Sequence, residues 1–146
     1  MGLMAGDGAL RKACEAYVSE KRVPVRFTGF LNQSQIPRAY VAADALVLPS
    51  DAGETWGLVV NEAMACGRAC ITSDKVGCAV DLIVPNRTGA TFSVGDIEGL
   101  ARLVERYAND PSEVQEMGEA AREMSGKYSV SEAVKGIIRA LEAVAA

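Results

Sequence analysis

One stretch restricts the fold of this chain more than any other, residues 49–67, Pro-Ser-Asp-Ala-Gly-Glu-Thr-Trp-Gly-Leu-Val-Val-Asn-Glu-Ala-Met-Ala-Cys-Gly. An apolar run, Ala45 to Leu48, precedes it and reads as a buried strand. A second run, Ala69 to Thr72, comes after it. Between them lie a polar loop bearing Gly53 and Gly57 and a helix that starts near Gly57 and stops at Gly67. Strand, loop, helix and strand make a βαβ unit, in which the loop and helix start lie at the carboxyl edge of a parallel sheet. Backbone N–H groups from about Thr55 to Val59 lack intrahelical acceptors and suit an anion such as a phosphate.

The helix is apolar almost all round (Leu58, Val59, Val60, Ala63, Met64, Ala65, Cys66), which predicts burial, yet it carries Asn61 and Glu62. A buried carboxylate requires hydrogen-bond donors. Two readings are open. Glu62 is half-exposed or paired with Arg68 or Lys75, or it accepts hydrogen bonds from ligand hydroxyls. Glu54 lies in a polar loop where a solvated carboxylate is ordinary. Trp56, the single tryptophan, reads more readily as a plug in the core than as a platform for a ligand.

The remainder alternates between strand and helix patterns. Leu3 to Ala5 reads as the tail of a strand, and Gly6-Asp7-Gly8 as a turn. A helix is expected over 9–20, a strand over 23–28, and a helix capped by Ser34 with Pro37 in its first turn. After the central unit come a short helical turn at 80–84, turn chemistry at 85–89 and an edge strand at 90–92. Asp96 and Pro111 mark two helix starts. A last helix begins at Ser129 or Ser131, with an apolar stripe from Ala133 to Ala145 that must be buried against its own domain or a second copy. The pattern predicts a single α/β, Rossmann-like three-layer domain over 1–146, with a parallel sheet and a helical C-terminal end.

Composition excludes several classes. The chain has 146 residues, net charge −4 and no histidine, so Ser-His-Asp and Cys-His nucleophile chemistry has no base within it. An acidic chain without a long basic cluster is a poor nucleic-acid binder. No apolar run approaches the ~18 residues of a transmembrane segment. Four cysteines without close pairs or histidine argue against a metal site and for small buried thiols in a reducing compartment, with the cytoplasm as default. No cofactor is indicated.

Taken in order, these residues resemble the C-terminal half of the family-four (group-one) retaining glycosyltransferases, which have the GT-B fold. Gly6-Asp7-Gly8 with Leu10-Arg11 looks like the family's opening glycine turn, and Val25 to Phe30 like its strand ending in Gly-Phe. Glu54 to Glu62 is similar to its E-x7-E element. Val76-Gly77, Asp81-Leu82-Ile83 and Thr88-Gly89 resemble the segments that the family usually carries after that element. Trp56 stands where many members have Phe, and Asp81 where many have Glu.

The resemblance implies a partner, a nucleotide diphosphate sugar (UDP-, GDP- or ADP-sugar), whose sugar passes to an acceptor hydroxyl with retention. It implies that Glu54, the catalytic-site residue, touches donor-sugar hydroxyls. Trp56, Gly57, Leu58 and Val59 would hold sugar and diphosphate, Glu62 the ribose diol, and Gly29 and Phe30 the base. It also implies a domain truncated before its first residue. The family's diphosphate-gripping Arg and Lys and its N-terminal acceptor domain are absent here, so weak nucleotide-sugar binding without turnover is expected. The alternative is a non-catalytic nucleotide-binding or scaffold module of the same fold. The C-terminal apolar stripe adds a possible homo-oligomer.

Overall fold

The computed structural model describes residues 1–145 and divides them into two compact units, Met1–Ala43 and the chain from Asp44 onward. The first unit contains β1 (Gly2–Ala5), α1 (Arg11–Lys21), β2 (Val25–Gly29) and α2 (Ile36–Ala42). β1 and β2 pair in parallel, Gly2 opposite Val25 and Met4 opposite Phe27. The second unit contains β3 (Ala45–Leu48), α3 (Leu58–Ala65), β4 (Ala69–Ser73), α4 (Ala79–Leu82), β5 (Gly89–Phe92), α5 (Ile97–Asn109), α6 (Pro111–Gly126) and α7 (Val130–Ala145). Its three strands are parallel in the order β3-β4-β5, with Leu48 opposite Thr72 and Thr72 opposite Thr91. Parallel pairing in register brings the loops after all three strands out at one edge.

The core of the second unit lies on β4. Ala69 and Ile71 pack with Tyr107, Val114 and Met117 from α5 and α6, and Phe92, Leu100 and Leu103 close over them. Helix α6 also packs on α3, and Gly118 permits that approach. A Cβ there would lie 2.3 Å from the Gly67 carbonyl oxygen, closer than any side chain tolerates. Asp96 Oδ1 accepts from Gly99 N–H at 2.8 Å and caps α5, as its position predicts. Gly67, at φ +72°, ends the helical segment with its N–H on Met64 O at 2.8 Å.

Several expectations need correction. β3 is only partly covered, with Val47 39% exposed, because it is an edge strand of its unit rather than a buried one. Asn32, not Ser34, organises the start of α2; its Oδ1 accepts from Ser34 N–H, Ser34 Oγ and Gln35 N–H at 3.1, 2.7 and 3.1 Å. Of the four thiols only Cys70 and Cys78 are buried; Cys14 and Cys66 are half-buried. The α7 stripe stays open within the chain, with Ile137 61% and Leu141 65% exposed. Among the described residues no helix is long and apolar enough to cross a membrane.

Two threonines show how much a buried hydroxyl depends on its partners. Thr88 Oγ1 donates to Leu82 O at 2.7 Å and accepts from Val84 N–H at 2.8 Å, tying α4 to the turn before β5. Thr72 Oγ1 is equally buried, and among the described residues it finds no partner. Thr72→Val keeps the shape and removes the unsatisfied hydroxyl, so urea denaturation is expected to show stability unchanged or raised by about 1 kcal/mol. A loss of that size would mean the hydroxyl is satisfied in solution.

Asp110 caps α6, accepting from Glu113 N–H at 3.0 Å and Ser112 Oγ at 2.7 Å. The Glu113 amide, then the Ser112 hydroxyl, hold its carboxyl below the ordinary value of 3.8. A pKa lowered by folding adds stability above the unfolded value and loses it as pH falls through the folded one. The melting-temperature gap between wild type and Asp110→Ala is therefore expected to be full well above the ordinary carboxyl value and to narrow as pH falls below it.

Candidate functional site

The loop between β3 and α3 carries most of the expected site residues, and all of its anchors lie in the second unit. At its start, Ser73 Oγ at the end of β4 donates to Ser50 O. Asp51 then forms a tight turn, its Oδ1 accepting from Gly53 N–H at 3.0 Å and its carbonyl from Glu54 N–H at 3.3 Å. Glu54 is half-buried on the far side of that turn.

The loop enters α3 through Gly57, whose φ of +97° is a left-handed conformation that glycine adopts without cost. Space demands glycine as well, since a Cβ would lie 2.8 Å from Val76 Cγ1 and 3.4 Å from Cys78 Sγ. Among the described residues the first amide here to find a helical acceptor is Val60 N–H, on Gly57 O at 2.8 Å. Leu58 and Val59 precede it, and their N–H groups belong to the open first turn, where the helix dipole is positive.

Trp56 is neither fully buried nor free. Its Nε1–H donates to Asn61 Oδ1 at 2.8 Å, and its ring lies 6.3 Å from that of Tyr128. The Tyr128 hydroxyl in turn reaches Asp81 O at 3.5 Å. The indole is thus braced by α3 and by the connection between α6 and α7. Neither the plug reading nor the platform reading foresaw this.

α3 departs from the expectation of burial all round. Val60, Ala63 and Met64 are buried, but Leu58 is 69% exposed, and Glu62 and Ala65 share that open face. The premise of a carboxylate sunk in a buried helix therefore fails, because the face of α3 that bears Leu58, Glu62 and Ala65 is left uncovered. Glu62 lies one turn after Leu58 on the same face, at i+4 spacing.

Beneath the loop lies the turn 76–78. Cys78 N–H donates to Trp56 O at 2.8 Å, and its thiol lies 3.8 Å from Gly57 O. Burial pushes the Cys78 thiol up to about 11, and the nearby Glu54 charge adds to the rise. It stays protonated at neutral pH and acts as a weak donor, not a nucleophile. Gly77 and Cys78 have no site role in the sequence reading, where Val76-Gly77 figures only as a segment carrying the family resemblance.

Gly29 and Phe30 belong to the first unit. Gly29 ends β2 at φ +72°, its carbonyl accepts from Gly6 N–H at 2.9 Å, and Arg11 lies against it. Arg11 is itself bonded to Glu15 at 2.8 Å and Asp7 at 3.1 Å. Phe30 comes next, with 77% of its surface exposed. Among the described residues no cluster of three or more His, Cys, Asp or Glu could hold a metal ion.

Parallel strands, loops gathered at their carboxyl edge and a long C-terminal helix define an α/β domain of the type found as the C-terminal half of GT-B proteins. The chain belongs to the family Glycosyl transferases group 1, whose model matches residues 2–124. It is 33% identical over 126 residues to sulfoquinovosyl transferase SQD2 of Arabidopsis thaliana, covering 84% of this chain and 24% of that protein. It is 33% identical over 122 residues to glycogen synthase of Mycobacterium tuberculosis, covering 82% and 29%. Among solved structures, sucrose-phosphate synthase from Thermosynechococcus elongatus superposes with a TM-score of 0.79 at 29% identity, over 97% of this chain and 38% of that one. Anabaena HepE in complex with UDP superposes with a TM-score of 0.85 at 22% identity, over 97% and 40%. The chain spans about a quarter of the length of these two curated relatives.

The bond between Trp56 and Asn61 is open to test. Asn61→Ala removes the indole's acceptor, so the emission of the single tryptophan is expected to change and stability to fall by about 1 kcal/mol. An unchanged spectrum and melting temperature would show that the bond does not form in solution.

Proposed function

We propose that this chain is the donor-binding part of a retaining glycosyltransferase, and that its second unit takes the diphosphate and ribose of a nucleotide sugar at the start of α3. What supports the reading is one juxtaposition: open first-turn amides at Gly57 to Val59, with Glu62 one turn further along the same uncovered face. A carboxylate accepts hydrogen bonds and donates none. It repels phosphate and suits a vicinal diol, while the amides and the helix dipole suit the anion. Four residues of helix advance about 6 Å, and helical side chains lean back toward the N-terminus. A ribose diol on Glu62 thus leaves its 5′-phosphate close to the amide end.

In this reading the amides of Trp56, Gly57, Leu58 and Val59 hold the sugar and diphosphate. Glu54 hydrogen-bonds donor-sugar hydroxyls. The donor is a UDP-, GDP- or ADP-sugar; HepE has been solved with UDP and with UDP-glucose, and glycogen synthase is among the relatives. The reaction of the whole enzyme is the transfer of that sugar to an acceptor hydroxyl with retention, the diphosphate leaving. Negative charge that builds on the departing diphosphate meets the positive end of α3. The base-contact role of Gly29 and Phe30 is a separate proposal about the first unit.

Calorimetric titration with UDP, GDP and ADP and their glucose conjugates tests the reading. The chain by itself is expected to bind one series weakly and to transfer no sugar. Glu62→Ala is expected to weaken the free nucleotide about tenfold or more, the loss of a charge-assisted hydrogen bond. Glu54→Gln is expected to leave the nucleotide diphosphate unchanged and to weaken only its sugar conjugate. Full affinity in Glu62→Ala would remove the ribose assignment, and robust transfer by the chain alone would contradict the division of labour.

A further inference from the structure

Two loops that leave neighbouring parallel strands meet backbone to backbone beneath the first-turn amides of α3. A Cβ on Gly77 would lie 1.9 Å from the Thr55 carbonyl oxygen, 2.7 Å from its carbon and 3.2 Å from Trp56 Cα. The φ of Gly77 lies outside the left-handed region, so the requirement is one of space alone. Gly57 presents the reciprocal face, closed to any side chain by Val76 and Cys78. No side chain fits between the two loops from either direction.

The next residue fixes orientation as well as distance. Cys78 N–H holds Trp56 O at 2.8 Å, and its thiol faces Gly57 O at 3.8 Å. In a trans peptide the carbonyl and the next residue's N–H point in opposite directions. Drawing Trp56 O toward Cys78 therefore turns the Gly57 N–H away from the 76–78 turn. Drawing Gly57 O the same way turns the Leu58 N–H away too. These are two of the amides to which the proposed function assigns the diphosphate.

We propose that Gly77 and Cys78 are positioning residues for donor binding. They touch no ligand and act by setting the peptide planes between Trp56 and Leu58, so that two N–H groups converge on one anion. The inference rests on the donor-binding reading of α3.

The test uses the full chain with UDP, GDP and ADP as probes and the emission of Trp56 as a reporter of the loop. Gly77→Ala forces the loops apart. Cys78→Pro deletes the N–H at a position whose φ of −76° suits proline, and serves whether or not Gly77→Ala folds. Both are expected to shift Trp56 emission and to weaken the bound nucleotide about tenfold or more. Cys78→Ser keeps the N–H and a donor and is expected to stay within about twofold of wild type. Gly118→Ala, which strains the unit at the Gly67 carbonyl instead, is the structural control: lower melting temperature, unchanged emission and affinity. Wild-type affinity in both Gly77→Ala and Cys78→Pro overturns the inference, as does an equal loss in Gly118→Ala. A wild-type chain that binds none of the three nucleotides overturns the donor reading itself, and the inference falls with it.

Discussion

The contact on which the rest of the second unit depends is the one between the loops after β3 and β4, where Gly57 and Gly77 leave no room for a Cβ on either side. Parallel register puts it there. Leu48 lies opposite Thr72, so β3 and β4 end within one residue of each other and the chain leaves them through loops that start side by side. Ser73 ties the first of these near its origin at Ser50, and Cys78 ties it again at Trp56 and Gly57. The polar loop after β3 is thereby held at both ends by the strand and turn that come after it in sequence. Loops held this way present backbone groups with little ordering cost on binding.

That contact also sets the entry into α3. A left-handed Gly57 swings the helix so that Val60, Ala63 and Met64 face inward while Leu58, Glu62 and Ala65 face out. α6 then covers the turn after α3 by way of Gly118 against Gly67. The indole of Trp56 fills the remaining space between Asn61 and Tyr128. A larger ring than phenylalanine needs an acceptor when half-buried, and Asn61, five residues on, supplies it within the same βαβ unit.

Much of this was legible in the residues. Alternation of apolar runs with helical stripes placed each strand and helix to within a few positions, because those periods reflect burial directly. Gly67 as a stop and Asp96 as a cap came from local chemistry that tertiary structure does not override. What stayed hidden depended on partners distant in sequence. The all-round apolar α3 hid an open face, since composition does not reveal which neighbours are present. Ser34 lost its capping role to Asn32, two residues away and equally suited by type. Gly77 stood out only as part of the family resemblance at Val76-Gly77, and the physical reason for it, the opposing Thr55 carbonyl, is visible only in the fold. The partner of Trp56 Nε1 was likewise invisible without the fold.

The charge balance bears on how an acidic chain can hold an anion. A diphosphate at the start of α3 would meet about half a positive charge from the helix end and a full negative charge on Glu62 roughly 6 Å along the axis. At an effective dielectric between about 20 and 80, that repulsion amounts to about 1–3 kcal/mol. Each amide hydrogen bond to a charged oxygen returns about 1.5–3 kcal/mol, so one well-aimed amide roughly balances the repulsion and two or three outweigh it. Aim therefore sets the margin: with the peptide planes between Trp56 and Leu58 free to rotate, fewer amides would converge on the anion and the surplus over the repulsion would shrink.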